Sequence, residues 1–170
     1  MSTPTHHEHK DHAPSSIGCM VITCSDTRTQ ETDTSGQLIR TLLEARGHTV
    51  VGYHLVKDDP AQIQWWIARG VINDEVQAII INGGTGISRR DSTFEAVDEM
   101  LEKRLAGFGE IFRLLTYQDI GSPAIMSRAT AGVIKGRILF STPGSENAVR
   151  LAMEKLILPE LGHLVKELNK

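Results

Sequence analysis

Residues 78–96 read AIIINGGTGISRRDSTFEA and predict a strand that runs directly into a glycine-rich loop. The first four residues are apolar and mostly β-branched, as expected of a strand that is buried on both faces of a sheet. The segment NGGTG follows, and its three glycines leave the backbone free to adopt positive φ. A ligand can approach the main-chain N–H groups of such a loop closely. We call residues 83–86 the glycine loop.

A helix is predicted to begin at Ser92, immediately after this loop. Ser92 and Glu95 have the spacing of a capping box, and Asp91 lies beside the cap. A strand, a glycine loop and a helix N-terminus in succession form a geometry that binds phosphate. Arg89 and Arg90 add positive charge to the same loop. The stretch therefore predicts an anion site, with an unliganded turn as the alternative because glycine loops are common connectors.

Two common phosphate motifs do not fit the glycine loop. A Walker A motif is excluded because no Gly-Lys pair occurs in the chain. The dinucleotide fingerprint requires a third glycine three residues after the second, and counting from Gly86 gives Arg89. The ligand must be recognised in another way.

Length and composition fit one domain of a reduced, soluble compartment. The 170 residues suffice for a sizeable core, and the formal charge of −3 gives no reason to expect nucleic-acid binding. No apolar run approaches the roughly 18 residues of a membrane span, and the N-terminus lacks the apolar segment of a signal peptide. Cys19 and Cys24 are five apart on one predicted strand, so they face opposite sides and cannot pair. We expect a cytoplasmic protein that binds neither nucleic acid nor membrane.

Residues 1–16 differ in kind from the rest of the chain. They include four histidines and two prolines but, after Met1, no large apolar side chain, so they cannot help to build a core. The histidines could bind a transition metal weakly, but nothing pre-organises them. We predict a disordered His-rich tail over residues 1–16 and a folded domain over residues 17–170.

From residue 17 onward, strands and helices alternate. Strands are predicted over residues 17–23, 49–55, 78–81 and 138–141. Helices are predicted over residues 34–46, 60–72, 92–104 and 145–157, and the segment 107–130 is expected to be helical but less regular. Thr34 and Gln37 form a second capping box, and Asp59 is the N-cap before Pro60. Pro159 should interrupt the chain after the helix over residues 145–157, before a short closing helix. This order predicts a three-layer α/β/α sandwich with a mostly parallel sheet.

Polar loops follow the predicted strands of this sheet. They contain Ser25 and Asp26 after the first strand, Asp58 after the second, and the segment STPGSEN after the last. Ligands of such sheets collect outside the carboxyl ends of the strands. Each loop alone could be an ordinary solvated connector, but these three together with the glycine loop after the third strand make four at one edge, which favours a binding site.

Five motifs in this order resemble one known family. They are TCSDTRTQETDTSG, NGGTGISRRD, GFGEIFR, IGSPAIMSRATAG and STPGSENAV, and the resemblance covers residues 17–161. The chain resembles the molybdenum cofactor biosynthesis proteins, which comprise the molybdopterin adenylyltransferases and the related protein B group. The resemblance implies the molybdopterin-binding fold, a homotrimer or hexamer, and action alongside other proteins of cofactor biosynthesis. The third to fifth motifs look most like the protein B branch.

The resemblance also implies a reaction and a set of site residues. In the adenylyltransferases, the phosphate of molybdopterin attacks the α-phosphate of ATP in the presence of Mg²⁺. Asp58 and Asp91 match the catalytic aspartates, which would also hold the metal. The positions implied for binding molybdopterin and ATP are Ser25, Asp26, Gly83, Gly84, Thr85, Gly86, Ser127, Arg128, Pro143, Gly144 and Ser145.

Two features of the sequence depart from the adenylyltransferases. Asn82 replaces a common threonine before the glycine pair, and Lys57 replaces a frequent proline. A non-catalytic molybdopterin carrier of the same fold is therefore one alternative. A nucleotide pyrophosphate hydrolase, as in competence-damage-type proteins, is another.

Two adjacent tryptophans, Trp65 and Trp66, lie on the helix predicted over residues 60–72. Their side chains point about 100° apart, so one is predicted to lie on the surface, where it would mark a subunit interface.

Overall fold

The computed structural model describes residues 14–170, which form a six-stranded sheet with helices on both faces. Most of the predicted disordered tail, residues 1–13, lies outside this range. The strands are β1 Gly18–Cys24, β2 Thr49–Val56, β3 Ala78–Asn82, β4 Lys103–Arg104, β5 Thr130–Ile134 and β6 Arg137–Thr142. The helices are α1 Thr34–Ala45, α2 Pro60–Val71, α3 Thr93–Asp98, α4 Ala106–Ile120, α5 Glu146–Ala152 and α6 Leu158–Leu168. None of the helices in this range is both long and apolar enough to cross a membrane.

The sheet is mostly parallel, as predicted. Its order is β2-β1-β3-β6-β5-β4, and the first four of these strands run in the same direction. β5 is antiparallel to β6, and β4 is antiparallel to β5. The carboxyl ends of β1, β2, β3 and β6 therefore meet at one edge, where Asn82 lies in register with Thr23 and Thr142.

Alternate residues of the central strands fill two separate cores, one on each face of the sheet. Cys19 and Val21 pack into the core beneath α1, α5 and α6, whereas Ile22 and Cys24 pack into the core beneath α2 and α3. The two cysteines are buried and free, on opposite faces, as predicted. This pattern confirms the three-layer arrangement, because a strand covered by helices on both sides is apolar at every position.

Helix starts agree only partly with the predicted caps. Asp59 caps α2 by accepting from the Ala61 N–H at 2.9 Å, with Pro60 following, as expected. The prediction for α1 was wrong by one residue: Asp33, and not Thr34, caps this helix, accepting from the Gly36 N–H at 3.0 Å. Aspartate and threonine can both cap a helix, and the contacts of Asp33 with distant residues decide between them.

The third predicted helix is shorter than expected. It ends at Asp98, because the segment up to Arg104 pairs with β5 instead: Glu102 and Leu105 donate their N–H groups to carbonyls of that strand. The segment after residue 107 continues as α4, followed by a 3₁₀ helix, Ser122–Met126. The prediction that residues 107–130 are helical was therefore right, except at the end of the segment, where Thr130 begins β5.

The expected interruption at Pro159 was also wrong. A π turn, Met153–Ile157, joins α5 directly to α6, and Pro159 lies in the first turn of α6. Proline lacks the N–H that an α-helix would bond to the carbonyl four residues earlier. The wider π spacing accommodates it without a break in the helix.

Trp65 and Trp66 lie on α2 and face different surroundings. Trp65 is 55% exposed, whereas Trp66 packs against the core beneath α2 and stacks on His54, with ring centroids 3.5 Å apart. The expectation that one tryptophan lies on the surface is confirmed. Whether Trp65 marks an interface stays a prediction.

Candidate functional site

A cleft of about 420 Å³ opens at the carboxyl ends of β1, β3 and β6. Nine of the residues predicted for the site line it: Ser25, Gly83, Gly84, Thr85, Gly86, Asp91, Ser127, Pro143 and Gly144. Four further residues line it that were not predicted: Cys24, Thr27, Arg28 and Met126. The sheet edge favoured by the polar loops is therefore the edge at which the cleft lies.

The start of the glycine loop is shaped by close backbone contacts. Gly83 and Gly84 have φ of 97° and 62°, the left-handed region that favours glycine. A Cβ at Gly83 would lie 2.2 Å from the Cys24 carbonyl oxygen, and one at Gly144 would lie 2.9 Å from the Gly83 Cα. The Gly83 N–H donates to the Thr142 carbonyl at 3.0 Å. The loops after β1, β3 and β6 therefore meet here without room for side chains.

Asp58 connects the loop after β2 to the start of α3. Its Oδ1 accepts from the Ser92 N–H at 3.1 Å, the Ser92 hydroxyl at 2.9 Å and the Thr93 hydroxyl at 3.3 Å. Ser92 makes no capping bond with its own side chain, so the predicted capping box with Glu95 was wrong. Instead, the Asp58 carboxylate, which belongs to the loop after β2, accepts the hydrogen bonds of the groups at this helix start.

Asp58 and Asp91 lie against the same short segment of the glycine loop. A Cβ at Gly84 would be 2.5 Å from Asp58 Oδ2, and a Cβ at Gly86 would be 2.6 Å from Asp91 Oδ2. Asp91 Oδ2 also accepts from the Ser88 N–H at 3.0 Å. The two carboxylates thus flank the loop, although only Asp91 is among the residues that line the cleft.

Asp58 and Asp91 are the residues that could hold Mg²⁺ at this position. Asp58 Oδ2 and Asp91 Oδ1 accept no hydrogen bond from residues 14–170. The same residues contain no group of three or more histidine, cysteine, aspartate or glutamate side chains arranged to hold a metal. Mg²⁺ is usually bound by one or two carboxylates together with waters and substrate phosphates, and these two aspartates provide that number.

Arg128, predicted to bind ligand, holds the glycine loop itself. Its Nε donates to the Thr85 carbonyl at 2.9 Å, and its Nη2 donates to the Gly86 carbonyl. Its Nη1 pairs with Glu95, and this hydrogen bond lowers the pKa of the Glu95 carboxyl group. Because Arg128 donates charge-assisted hydrogen bonds to the carbonyls of the loop, its guanidinium group holds one side of the loop's backbone in place.

Two other predicted residues lie beside the cleft without lining it. Ser145 caps α5 by accepting from the Ala148 N–H at 3.3 Å, and it lines an adjoining cavity of about 220 Å³ that shares Ser127 and Pro143 with the cleft. Asp26 accepts from the Asp58 N–H at 3.2 Å. Both residues therefore organise the surroundings of the cleft.

Asn82 is fully buried beneath the glycine loop. Its Nδ2 donates to the Thr23 hydroxyl at 2.8 Å, while its Oδ1 has no hydrogen-bond partner in the described part of the chain. Threonine, the residue common among adenylyltransferases at this position, would leave no such amide oxygen. The substitution adds an acceptor below the cleft.

Arg28 and Cys24 are the chemically distinctive residues that the sequence analysis did not assign to the site. Arg28 donates from Nη1 to Asp33 Oδ1 at 3.2 Å and from Nη2 to the Gly144 carbonyl at 2.9 Å. Burial raises the pKa of the Cys24 thiol to about 12, so it stays neutral. Arg28 belongs to a polar loop that sequence had already placed at this edge, but its partner Gly144 is 116 residues away.

Comparisons with known proteins identify the family of this chain. A family model described as a probable molybdopterin binding domain matches residues 20–163. Molybdenum cofactor biosynthesis protein B of Halalkalibacterium halodurans is 54% identical over 164 residues, covering 96% of each chain. A crystal structure of a molybdenum cofactor biosynthesis protein B has a TM-score of 0.90 at 52% identity, over 92% of this chain and 98% of that one. The tungsten cofactor synthesizing protein MoaB from Pyrococcus furiosus has a TM-score of 0.82 at 36% identity, over 93% and 100%. The chain therefore belongs to the molybdenum cofactor biosynthesis protein B family, with the molybdopterin-binding fold.

Proposed function

We propose that the chain binds molybdopterin in this cleft and adenylylates it with ATP. The observation that carries the proposal is the position of Asp58 and Asp91 on either side of the glycine loop, at Gly84 and Gly86. Strand, glycine loop and helix start form an anion site, and two carboxylates beside it suit a reaction between phosphate groups. Membership of the family supports molybdopterin as the acceptor.

The reaction requires positioning and neutralisation of negative charge. An oxygen of the pterin's phosphate forms a bond to the α-phosphorus of ATP, the bond to the bridging oxygen breaks, and pyrophosphate leaves. Backbone N–H groups of the glycine loop would hold a phosphate, and Arg128 keeps that backbone in place. Asp58 and Asp91 would hold Mg²⁺, which neutralises phosphate charge when bound.

A non-catalytic carrier of molybdopterin is the second candidate. It is favoured by the contacts of Asp58, whose Oδ1 is occupied by Ser92 and Thr93 in the manner of a helix cap. An aspartate kept only for capping would leave Asp91 as the single acidic residue of the cleft. Such a protein would bind the pterin and transfer nothing to it.

One experiment separates the two candidates. Purified protein is incubated with molybdopterin, ATP and Mg²⁺, and adenylylated molybdopterin and pyrophosphate are measured together. The adenylyltransferase predicts equal amounts of both products over many turnovers. Pterin binding without either product would support the carrier, and failure to bind the pterin would exclude both.

We also propose that the chain forms a homotrimer or hexamer in the cytoplasm, where it works with other molybdenum cofactor biosynthesis proteins. The resemblance supplies the oligomer size. The described surface supplies an apolar face on α4 and the 3₁₀ helix, formed by Ile111, Leu114, Tyr117, Ile120, Ile125 and Met126, each about half exposed or more. A cavity of about 370 Å³ lies within this α4 face, beside Ile125, which is 84% exposed. A protruding apolar side chain next to an apolar cavity suits a second copy of the chain.

A further inference from the structure

We propose that Arg28 binds a phosphate group of the ligand, and that Asp33 and Tyr53 hold its guanidinium group in the position to do so. The identity of the ligand, molybdopterin or ATP, rests on the proposed function, whereas the phosphate chemistry does not. Arg28 lines the cleft, and Asp33 and Tyr53 lie behind it, at the N-cap of α1 and on β2.

Two hydrogen bonds fix the guanidinium group of Arg28. Nη1 donates to Asp33 Oδ1 at 3.2 Å, and Nη2 donates to the Gly144 carbonyl at 2.9 Å. A guanidinium group carries five N–H donors in a planar fork, so three remain. The side chain is 29% exposed. The remaining donors are therefore available to a ligand in the cleft.

Asp33 is the anchor of this arrangement. It is fully buried, and besides Arg28 it accepts from the Tyr53 hydroxyl at 2.6 Å and the Gly36 N–H at 3.0 Å. A buried carboxylate is costly unless it is paired and hydrogen-bonded. These three donors provide that pairing. Burial and the bond to Asp33 raise the pKa of Tyr53, so its hydroxyl stays a donor.

The electrostatics of the cleft favour a phosphate at Arg28. Arg28 is the one cationic side chain among the described residues that line the cleft, and Asp91 is the one anionic side chain. The carbonyl of Gly144, which would repel an anion, is engaged by both Arg28 and the Ser35 hydroxyl, the latter at 2.8 Å. Arginine matches phosphate oxygens with paired donors.

The test measures binding rather than turnover. Affinities for inorganic pyrophosphate, molybdopterin alone, and ATP with Mg²⁺ are determined by calorimetry for the wild type, Arg28→Gln, Arg28→Lys and Tyr53→Phe. Arg46→Gln, at the opposite end of α1, is the control. We expect Arg28→Gln to weaken pyrophosphate binding about tenfold or more, and the molybdopterin and ATP titrations identify the ligand whose phosphate it contacts. Arg28→Lys should recover only part of the wild-type affinity, because an ammonium group cannot bridge both Asp33 and the Gly144 carbonyl.

Tyr53→Phe tests the positioning role. It should weaken binding by a smaller factor, about two- to fivefold, and this loss should disappear in the Arg28→Gln background, since coupled residues are not additive. An equal loss of affinity in both backgrounds would show that Tyr53 affects binding independently of Arg28 and would overturn its positioning role.

The outcomes also separate this inference from the proposed function. Wild-type affinity of Arg28→Gln for all three probes, or failure of the wild type to bind any of them, would overturn the inference. Loss of pyrophosphate binding in Arg28→Gln, together with no binding of molybdopterin to the wild type, would support the inference and exclude the proposed function.

Discussion

Asp58 Oδ1 accepts hydrogen bonds from both the backbone N–H and the hydroxyl of Ser92, at 3.1 and 2.9 Å. The loop after β2 is thereby fastened to the first turn of α3, and the second carboxylate oxygen of Asp58 faces Gly84. One residue thus has two roles, a structural bond through Oδ1 and a position beside the glycine loop through Oδ2. The two roles predict different losses on substitution.

Asp58→Ala should destabilise the fold, because it leaves the start of α3 without its carboxylate partner. We expect the free energy of unfolding to fall by about 1–2 kcal/mol and the melting temperature by roughly 2–8 °C for a domain of this size. Ser92→Ala keeps the hydrogen bond from the Ser92 N–H to Asp58, so it should lower the free energy of unfolding by less. Thermal unfolding followed by circular dichroism measures both. A melting temperature of Asp58→Ala equal to that of the wild type would contradict the capping role.

Arg128→Gln should loosen the glycine loop, since two carbonyls, of Thr85 and Gly86, lose their donor. We expect faster amide hydrogen exchange over residues 85–91 and weaker binding of pyrophosphate. Glu95→Gln is the matched control, because it removes only the exposed ion pair, which is worth about 1 kcal/mol or less. Exchange as slow in Arg128→Gln as in the wild type would show that Arg128 does not hold the loop.

The stability of the domain should fall in mild acid because of His54. Burial lowers the pKa of this imidazole, which stacks on Trp66. The unfolded chain then binds more protons, so the stabilisation is complete above about pH 6.5 and is lost as the pH falls through the folded pKa. Melting temperatures from pH 7.5 to 5 should decline. His54→Phe, which keeps the stack, should make the decline less steep, and His48, whose pKa burial also lowers, accounts for the rest. An unchanged slope would exclude His54 as the cause.

The α4 face should form the contact between copies of the chain. Leu114 is 56% exposed on this face, whereas Ile72, at the end of α2, is 69% exposed elsewhere. We expect Leu114→Glu to dissociate the oligomer, because a buried unpaired charge is costly, and Ile72→Glu to leave it intact. Light scattering would give a multiple of the 18.7 kDa chain mass for the wild type. A wild-type mass of one chain would exclude assembly.

The fold could be predicted from sequence wherever the decisive forces are local. β3 is a short β-branched run, and Asp59 before Pro60 caps α2 through its own neighbours. A prediction failed where a distant segment of the chain competes with the local pattern for the same residues. The end of α3 depends on pairing with β5. The prediction at Pro159 failed for a local reason instead, a π turn for which the sequence offers no clear signal.

The candidate site shows the same division. The strand-end loops identify the sheet edge and most lining residues, because parallel strands bring their carboxyl ends together. The tasks of individual residues depend on partners far along the chain. Asp58 meets Ser92 across 34 positions, and Arg28 meets Gly144 across 116. No spacing rule connects such pairs, so the sequence indicated a polar loop where the structure shows a fixed cation.

The most direct measurement is the rate at which adenylylated molybdopterin forms in a single turnover, compared between the wild type and Asp91→Asn. Asparagine retains an oxygen for the Ser88 N–H but removes the charge that would hold Mg²⁺. Asp74→Asn, on an exposed residue remote from the cleft, is the control. We expect Asp91→Asn to lower the rate about 100-fold or more, with melting temperature and pterin affinity close to the wild type. A rate near that of the wild type in Asp91→Asn would contradict the proposed reaction at this cleft.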